Sequence, residues 1–182
     1  MGRGQDSKQS MQNFLAGIEG RAFRIAQFAT RNRDDALELV QDAMMRLAHK
    51  YSDRPTEEWS ALFYSILQSR IRDWQRRQAV RNRFRTWFAW NEEDEEYDVL
   101  EQSPADASSE PSIRLENDQF MTRLNLELGA LPHRQQQVFL LRVWEGLDIA
   151  QTAVAMQCSE SSVKTHHARA LQKLREKLEE LR

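Results

Sequence analysis

Apolar residues recur every three or four positions in separate stretches of this chain, and polar residues fill the positions between them. Such spacing predicts amphipathic helices, each of which buries one face. The first helix buries Phe14, Ile18, Ala22, Ile25 and Ala29. The second starts near Asp34 and buries Leu37, Val40, Met44 and Leu47. A third helix, or a pair of helices, begins at Trp59 and buries Leu62, Phe63, Ile66, Leu67, Ile71 and Trp74.

The carboxy-terminal residues 131–178 predict three further helices separated by two breaks. Pro132 suits the first turn of a helix, and Gly146 is a natural helix stop. Asp148 and Ser159 are placed to cap the next two helices. The last helix buries Val163, Ala170, Leu171, Leu174 and Leu178. This layout predicts a helix-turn-helix with a long final helix.

The outer face of the final helix carries short hydrogen-bond donors and cations near its amino end. They are Ser161, Ser162, Lys164, Thr165, His166 and Arg169. Because a recognition helix meets base edges and phosphates with such groups, this face predicts the reading of duplex DNA. The alternative is an ordinary three-helix bundle with a solvated polar face. Gln157 stands at the turn, where such motifs often have Gly, so the backbone there must be strained or adapted.

The net charge of −2 conceals three segments of different charge. Residues 1–91 carry a net charge of +6, residues 92–118 of −10 and residues 119–182 of +2. A chain of 182 residues, 40% of them hydrophobic, can form two compact helical units but hardly one large enzyme core. We therefore predict an all-α protein in which two small domains, 1–91 and 119–182, are joined by an acidic linker. A self-repelling segment with few apolar residues stays extended or disordered.

Arginines and aromatic residues alternate at the end of the third predicted helix. The arginines are Arg70, Arg72, Arg76, Arg77, Arg81, Arg83 and Arg85, and the rings are Trp74, Phe84, Trp87, Phe88 and Trp90. A cationic surface with stacking rings suits single-stranded DNA. The apolar period nevertheless favours core positions for Trp59, Phe63 and Trp74. Trp87, Phe88 and Trp90 fit either a core edge or a docking surface.

The sequence predicts no catalytic, cofactor or metal site. Its histidines, His49, His133, His166 and His167, lack Cys or carboxylate neighbours at metal-ligand spacing. The glycines form no phosphate-binding loop, so we expect neither enzyme activity nor a cofactor. Cys158, the single cysteine, excludes an internal disulfide and is expected to be a small buried side chain. We expect a cytoplasmic protein without membrane insertion, because no apolar run is long enough and the first ten residues are polar.

Two blocks of sequence motifs follow one another in the chain. The first consists of residues 35–43 (DALELVQDA), residues 59–66 (WSALFYSI) and the Arg-rich helix that contains Asp73. The second consists of Leu131 and Pro132, Arg134, residues 138–142 (VFLLR), residues 145–147 (EGL) and residues 162–165 (SVKT). The first block resembles region two, and the second region four, of the extracytoplasmic-function group of bacterial RNA polymerase sigma factors. Two blocks in this order are more specific than a lone helix-turn-helix.

This resemblance implies a subunit that binds core RNA polymerase and directs promoter-specific transcription initiation. It implies contacts with the clamp helices and the flap of the polymerase, and an anti-sigma partner is common among such proteins. The implied polymerase contacts on the first block are Asp35, Leu39, Gln41 and Asp42. The minus-10 element would be bound by Arg54, Arg70, Arg72, Trp74, Arg76, Arg77 and Arg81, with residues 52–58 forming the pocket for a flipped base. The minus-35 element would be read by the six outer residues of the final helix.

Several alternatives stay open at this point. The acidic linker is either a solvated spacer or a phosphate mimic that occupies basic polymerase channels. The alternative function is a stand-alone helix-turn-helix transcriptional regulator that binds an operator as a dimer, although residues 1–91 lack the alternating strands of a receiver domain. A third candidate is a protein that only sequesters a partner. Co-purification with core polymerase separates a sigma factor from both.

Overall fold

The computed structural model describes the backbone of residues 2–88 and 111–179, and the side chains of residues 8–81 and 120–179. All regular elements within these ranges are helical, as predicted. The helices are α1 (Gly2–Thr30), α2 (Arg33–Tyr51), α3 (Thr56–Phe88), α4 (Pro111–Ala130), α5 (His133–Phe139), α6 (Ile149–Met156) and α7 (Glu160–Glu179), and a π-helical turn (Leu140–Trp144) continues α5. The segment after Trp59 is thus one long helix and not a pair.

Helices α1, α2 and α3 pack against one another and form an amino-terminal module. The predicted stripe of α1 faces the core, since Ile18, Ala22 and Ile25 are buried. Helix α2 begins after Asn32, whose side chain accepts a hydrogen bond from the Asp35 backbone N–H at 2.9 Å. The buried face of α3 includes Trp59, Phe63, Leu67 and Ile71, as the apolar period predicts.

The buried face of α2 differs from the predicted one. It consists of Ala36, Leu39, Val40, Ala43 and Leu47. Leu37, predicted to be buried, is 36% exposed. The prediction rested on large side chains, but Ala36 and Ala43 are fully buried, and small residues let neighbouring helices approach closely. The alanines therefore set the rotation of α2, and Leu37 lies outside the core.

Helix α4 begins at Pro111, inside the segment predicted to be an extended linker. Residues 111–118 are helical instead, and proline suits this first position because a first-turn N–H has no partner within the helix. Residues 92–110, which include most of the acidic run, lie outside the described residues, as does Trp90. The same holds for the side chains of Arg83, Phe84, Arg85, Trp87 and Phe88.

The helix that follows Pro132 widens before it ends. The Glu145 N–H donates to the carbonyl of Leu140 at 3.1 Å, a span of five residues instead of the four of an α-helix. Gly146, with a φ of 67°, then ends the helix as predicted. The wider turn carries one extra residue, and it directs Trp144 and Glu145 toward α1.

Helices α4 to α7 form a carboxy-terminal module, and α6 packs against α3 of the amino-terminal module. We call the contact surface between α1–α3 and α4–α7 the seam. Apolar contacts contribute to it, as where the rings of Phe28 and Trp144 meet edge to face with centroids 5.4 Å apart. Buried apolar residues of the two modules join in one cluster across the seam.

Candidate nucleic-acid interface

Caps fix the two helices of the helix-turn-helix. Asp148 and Gln151 form a capping box, in which the Gln151 N–H donates to Asp148 Oδ1 at 2.7 Å and the Asp148 N–H donates to Gln151 Oε1 at 3.0 Å. Ser159 Oγ accepts a hydrogen bond from the Ser162 N–H at 3.2 Å. Both predicted caps are confirmed. They satisfy backbone donors at the helix starts and fix the direction in which α7 leaves the turn.

Helix α7 buries Val163, Ala170 and Leu174 and turns another face outward. All six predicted DNA-reading residues lie on its first three turns. Four of them are exposed, namely Ser161, Lys164, Thr165 and Arg169, and two are partly buried, namely Ser162 and His166. Leu171, predicted to face inward, is exposed. The structure therefore places the predicted set on the amino-terminal half of α7, next to the turn, with four of its six side chains exposed.

Gln157 ends α6 in the left-handed backbone region, with φ and ψ both 52°. The sequence predicted an adapted backbone here because Gly is absent. Arg134 of α5 supports this turn by donating a hydrogen bond to the carbonyl of Met156 at 2.9 Å. The neighbouring Cys158 is partly buried, not fully as expected. Arg134 thus acts as a positioning residue for the turn that leads into α7.

Exposed arginines line the distal half of α3. Arg76, Arg77 and Arg81 are exposed, and the Arg76 side chain, 3.9 Å from Asp73, is 80% exposed. Trp74 is only partly buried and packs against the core cluster. These three arginines form a cationic surface of the kind that neutralises phosphates.

Arg70 is not part of that cationic surface. Its Nε lies 2.6 Å from Asp42 Oδ2, and Arg46 approaches the same carboxylate at 3.7 Å. Sequence analysis predicted that Asp42 contacts polymerase and that Arg70 contacts minus-10 DNA. In the structure these two side chains pair with each other. This ion pair joins α2 to α3.

Arg72 is also directed toward the protein. Its Nη2 donates to Gln157 Oε1 at 2.8 Å across the seam. Burial and the nearby Arg134 guanidinium lower the pKa of Arg72. The predicted minus-10 set is therefore divided, with Arg76, Arg77 and Arg81 exposed while Arg70 and Arg72 have protein partners.

The loop between α2 and α3 is closed by two contacts. Trp59 Nε1 donates to the Tyr51 carbonyl at 3.1 Å, and Arg54 lies 3.8 Å from Glu58. The Trp59 ring is buried against Phe14, with centroids 5.6 Å apart, so Trp59 is a core residue. Arg54 stays exposed at the loop surface.

The predicted polymerase-binding residues occupy different environments on α2. Leu39, a predicted polymerase contact, is 5% exposed and packs in the core, so its side chain is not accessible to a partner in this arrangement. Asp35 is partly buried in the first turn, and Gln41 is exposed. Met45, one turn beyond Gln41, is 62% exposed. The apolar surface of α2 that a partner can reach is thus Leu37 and Met45.

A buried carboxylate also joins the two modules across the seam. Arg21 Nε donates to Glu145 Oε2 at 3.1 Å, and the Glu145 side chain is 2% exposed. The hydrogen bond to Glu145 raises the pKa of Arg21. Burial and the nearby Glu145 also raise the pKa of Tyr64 above its usual range. Sequence analysis missed this group, because residues 124 positions apart leave no periodic trace.

His133 lies where α1, α3 and α5 meet. Ile25, Gln68 and Gln137 line the same small cleft. Burial, followed by Arg134 and Arg72, lowers the pKa of His133, so its neutral form is favoured in this arrangement. The histidine is therefore a partly buried titratable group at the seam.

Two features of the described residues bear on other kinds of site. Among the described side chains, no group of three or more His, Cys, Asp and Glu residues is arranged to hold a metal ion. Within the same part of the chain, no helix is both long and apolar enough to cross a membrane.

Known proteins resemble this chain in sequence. Residues 122–174, which contain the helix-turn-helix, match the family described as Sigma-70, region 4. The RNA polymerase sigma-E factor of Streptomyces avermitilis is 30% identical over 152 residues, which cover 76% of this chain and 80% of that protein. The ECF RNA polymerase sigma factor SigX of Bacillus subtilis is 28% identical over 159 residues, covering 85% and 76%.

Solved structures share the fold. The sigma factor RpoE of Bartonella quintana, crystallised with the anti-sigma factor NepR, superposes with a TM-score of 0.67 at 22% identity, covering 96% of this chain and 98% of that one. CnrH, in complex with the cytosolic domain of CnrY, gives a TM-score of 0.58 at 18% identity, covering 95% and 94%. By sequence and by fold, the chain belongs to the extracytoplasmic-function family of RNA polymerase sigma factors, which bind core polymerase and direct promoter-specific initiation.

Proposed function

We propose that the two modules divide the recognition of a promoter between them. Residues 1–91 bind core polymerase and the separated strands of the minus-10 element, and residues 119–182 read the minus-35 element as duplex DNA. The observation that carries this proposal is the presence of two separate exposed cationic helix faces, one on each module. Lys164 and Arg169 lie on α7, and Arg76, Arg77 and Arg81 lie on α3.

The chemistry of each face suits a different form of DNA. On α7, hydroxyls and cations occupy a single exposed helix face that can enter a major groove and meet base edges and phosphates. On α3, arginines follow one another at a spacing suited to phosphates, without a row of hydroxyls that would read bases. The α3 face would therefore contribute affinity, and the α7 face sequence selection.

Polymerase docking is assigned to the outer surface of α2. Leu37, Gln41 and Met45 follow at intervals of four, so they share one side of the helix. Asp35 and Glu38 lie nearby and supply negative charge, whereas the Asp42 carboxylate is paired with Arg70. An exposed apolar strip flanked by carboxylates is a suitable docking surface for a partner with complementary charge.

The remaining assignments follow from this function. The chain carries out no reaction itself, because polymerase supplies the chemistry, and it acts in the cytoplasm, where polymerase and promoter DNA are found. An anti-sigma factor is a further expected partner, since RpoE of Bartonella quintana was solved with one.

Run-off transcription with purified core polymerase tests the division of tasks. Lys164→Ala and Arg169→Ala should each weaken binding to the upstream promoter element by about 1–3 kcal/mol without weakening core-polymerase binding. Lys173→Ala is the matched control, because it removes the same charge about 13 Å further along α7. Leu37→Ala with Met45→Ala should instead weaken core binding alone. Equal loss of core binding and promoter binding in the α7 variants would contradict the proposal.

A further inference from the structure

The outer surface of α7 presents a threonine whose hydroxyl is already engaged. Thr165 Oγ1 donates a hydrogen bond to the carbonyl of Ser161 at 3.0 Å, one turn back along the same helix. A threonine hydroxyl has a single hydrogen to donate, so Thr165 offers no donor to a base while this bond is intact. The hydroxyl that the residue type suggests as a base reader is therefore directed at the backbone of its own helix.

The methyl group of Thr165 is left as the part of the side chain that reaches outward. Thr165 lies two positions after the buried Val163, so at about 100° per residue it lies about 200° around the helix from it. The residue is exposed. Because the oxygen and the methyl group share one branched carbon, the hydrogen bond of the oxygen restricts the direction of the methyl group. The methyl group is thus presented on the side of α7 opposite its core.

Ala168 adds a second methyl group to this surface. It lies two positions before the buried Ala170 and three after Thr165, so it shares the side of the helix opposite the core. Ala168 is exposed, and so are the cations Lys164 and Arg169 next to this pair. The result is a small apolar spot, made of Thr165 and Ala168, among groups that suit phosphates.

A neighbouring hydroxyl is also engaged within the protein. Ser162 Oγ lies 2.9 Å from Ser159 Oγ, and the Ser162 N–H donates to the same Ser159 oxygen at 3.2 Å. Ser162 is partly buried, so its side chain serves the cap of α7. Of these two engaged residues of the predicted DNA-reading set, Thr165 alone has a methyl group to offer a base instead.

Thymine is the base that an outward methyl group recognises. It is the base that presents a methyl group, at C5, in the major groove, and threonine and alanine methyl groups contact it there. Residues near the amino end of a recognition helix reach base edges, and Thr165 lies in the second turn of α7. Contact between two methyl groups removes both from water, which favours thymine over a base without one.

We propose that Thr165, with Ala168 beside it, is a specificity-determining residue that selects thymine in the minus-35 element through its methyl group and not through its hydroxyl. The hydroxyl acts on the protein side, where its bond to Ser161 orients the methyl group. This inference rests on the proposed reading of duplex DNA by α7. It adds to that function the base that one position of α7 selects and the group that selects it.

Removal of single methyl groups from the DNA tests this assignment. The full chain is bound to core polymerase, and its affinity for a promoter fragment is compared with that for fragments in which one thymine of the minus-35 element is replaced by deoxyuridine. Deoxyuridine pairs as thymidine does and lacks only the C5 methyl group. At one or two of these thymines the replacement should weaken binding by about fourfold, the effect of withdrawing one methyl group from apolar contact.

Two substitutions in the chain separate the methyl group from the hydroxyl. Thr165→Val keeps the methyl group and removes the hydroxyl, so the preference for thymine over deoxyuridine should remain about fourfold. Thr165→Ser keeps the hydroxyl and its bond to the Ser161 carbonyl but removes the methyl group, so the preference should fall below about twofold. Replacement of thymines in the minus-10 element is the control, and its effect should be the same in all three chains.

A thymine preference that survives in Thr165→Ser, or that is lost in Thr165→Val, overturns the assignment. So does a minus-35 element that tolerates deoxyuridine at every thymine of both strands, or that contains no thymine. Equal binding of core polymerase by the three chains shows that neither substitution acts through loss of the fold. Failure of the proposed function is recognised separately by scrambling the minus-35 element, because an unsubstituted chain that bound the scrambled promoter equally well would not read that element.

Discussion

The interior of the amino-terminal module and the seam are both buried, but they are built from different side chains. Inside the module, Ala22, Ala43 and Leu47 are fully buried between helices that approach closely. At the seam, burial extends to Glu145 and to the glutamine and histidine groups around α5. Exposing apolar side chains to water is unfavourable, whereas buried polar groups regain hydrogen bonds with water when a contact opens. The comparison distinguishes packing that stabilises a single module from packing that joins two folded modules.

The largest effect should come from the module interior. Leu47→Ala removes a fully buried side chain and should lower the free energy of unfolding by about 3 kcal/mol, through lost burial and the cavity that remains. Urea unfolding followed by circular dichroism measures the loss. Met45→Ala is the control on the same helix, and its exposed side chain should change stability by less than about 0.5 kcal/mol. Equal losses in the two variants would mean that α2 is rotated differently.

A smaller effect is expected at the buried ion pair of the seam. Arg21→Ala leaves the Glu145 carboxylate buried without its cation and should weaken docking by about 1–2 kcal/mol, a value reduced because Arg21 itself is largely exposed. Urea unfolding should then separate into two transitions, one for each module. Adding Glu145→Gln should partly restore the single transition. If the double substitution were as damaging as the sum of its parts, the pair would not be coupled.

The smallest effect should be the dependence of docking on pH. The pKa of His133 is lowered in the docked arrangement by burial, Arg134 and Arg72, while Gln68 and Gln137 face it without charge. A lowered pKa means that docking is strongest above the ordinary histidine pKa of about 6.5 and weakens as the pH falls below it, because the open form takes up the proton more readily. The distance between spin labels at Glu19→Cys on α1 and Lys173→Cys on α7, in a Cys158→Ala background and followed from neutral to mildly acid pH, measures this.

The control for that measurement is a pair of histidine substitutions. His133→Gln should remove the pH dependence of the distance. His167→Gln should keep it, because the pKa of His167 is lowered by burial and Arg142 within its own module. An identical pH profile in His133→Gln and the unsubstituted chain would remove His133 from the seam's response.

Local features of the fold could be predicted from the sequence. Asp148, Ser159 and Gly146 act within a few residues of their own positions. Asp148 and Ser159 therefore predict helix starts from the sequence alone, and Gly146 predicts a helix end. The apolar stripe of α1 and the outer face of α7 could also be predicted, since each depends on spacing along one helix. The rotation of α2 could not be predicted, because alanines contribute little to an apolar pattern yet decide how closely helices pack.

Features of the site that depend on distant partners could not be predicted in this way. Arg70 looked like a free cation until α2 placed Asp42 beside it. The sequence indicated that Gln157 needs an unusual backbone conformation. It could not indicate that the Gln157 side chain forms hydrogen bonds with Arg72 and Ser65 of α3. Contacts between residues far apart in the chain depend on how whole helices are placed relative to one another, and the spacing of residues along one helix does not contain that information.

The π-helical turn helps to set the relative orientation of the two modules. If Leu140–Trp144 took the ordinary α-helical pitch with no change in length, the extra residue would turn the residues that follow by about 100° around the axis. The capping box at Asp148 would survive, yet the indole of Trp144 would leave Phe28 and the carboxylate of Glu145 would leave Arg21. The mutual orientation of the two halves therefore depends on the wide pitch of this turn as much as on the kinds of residue in it.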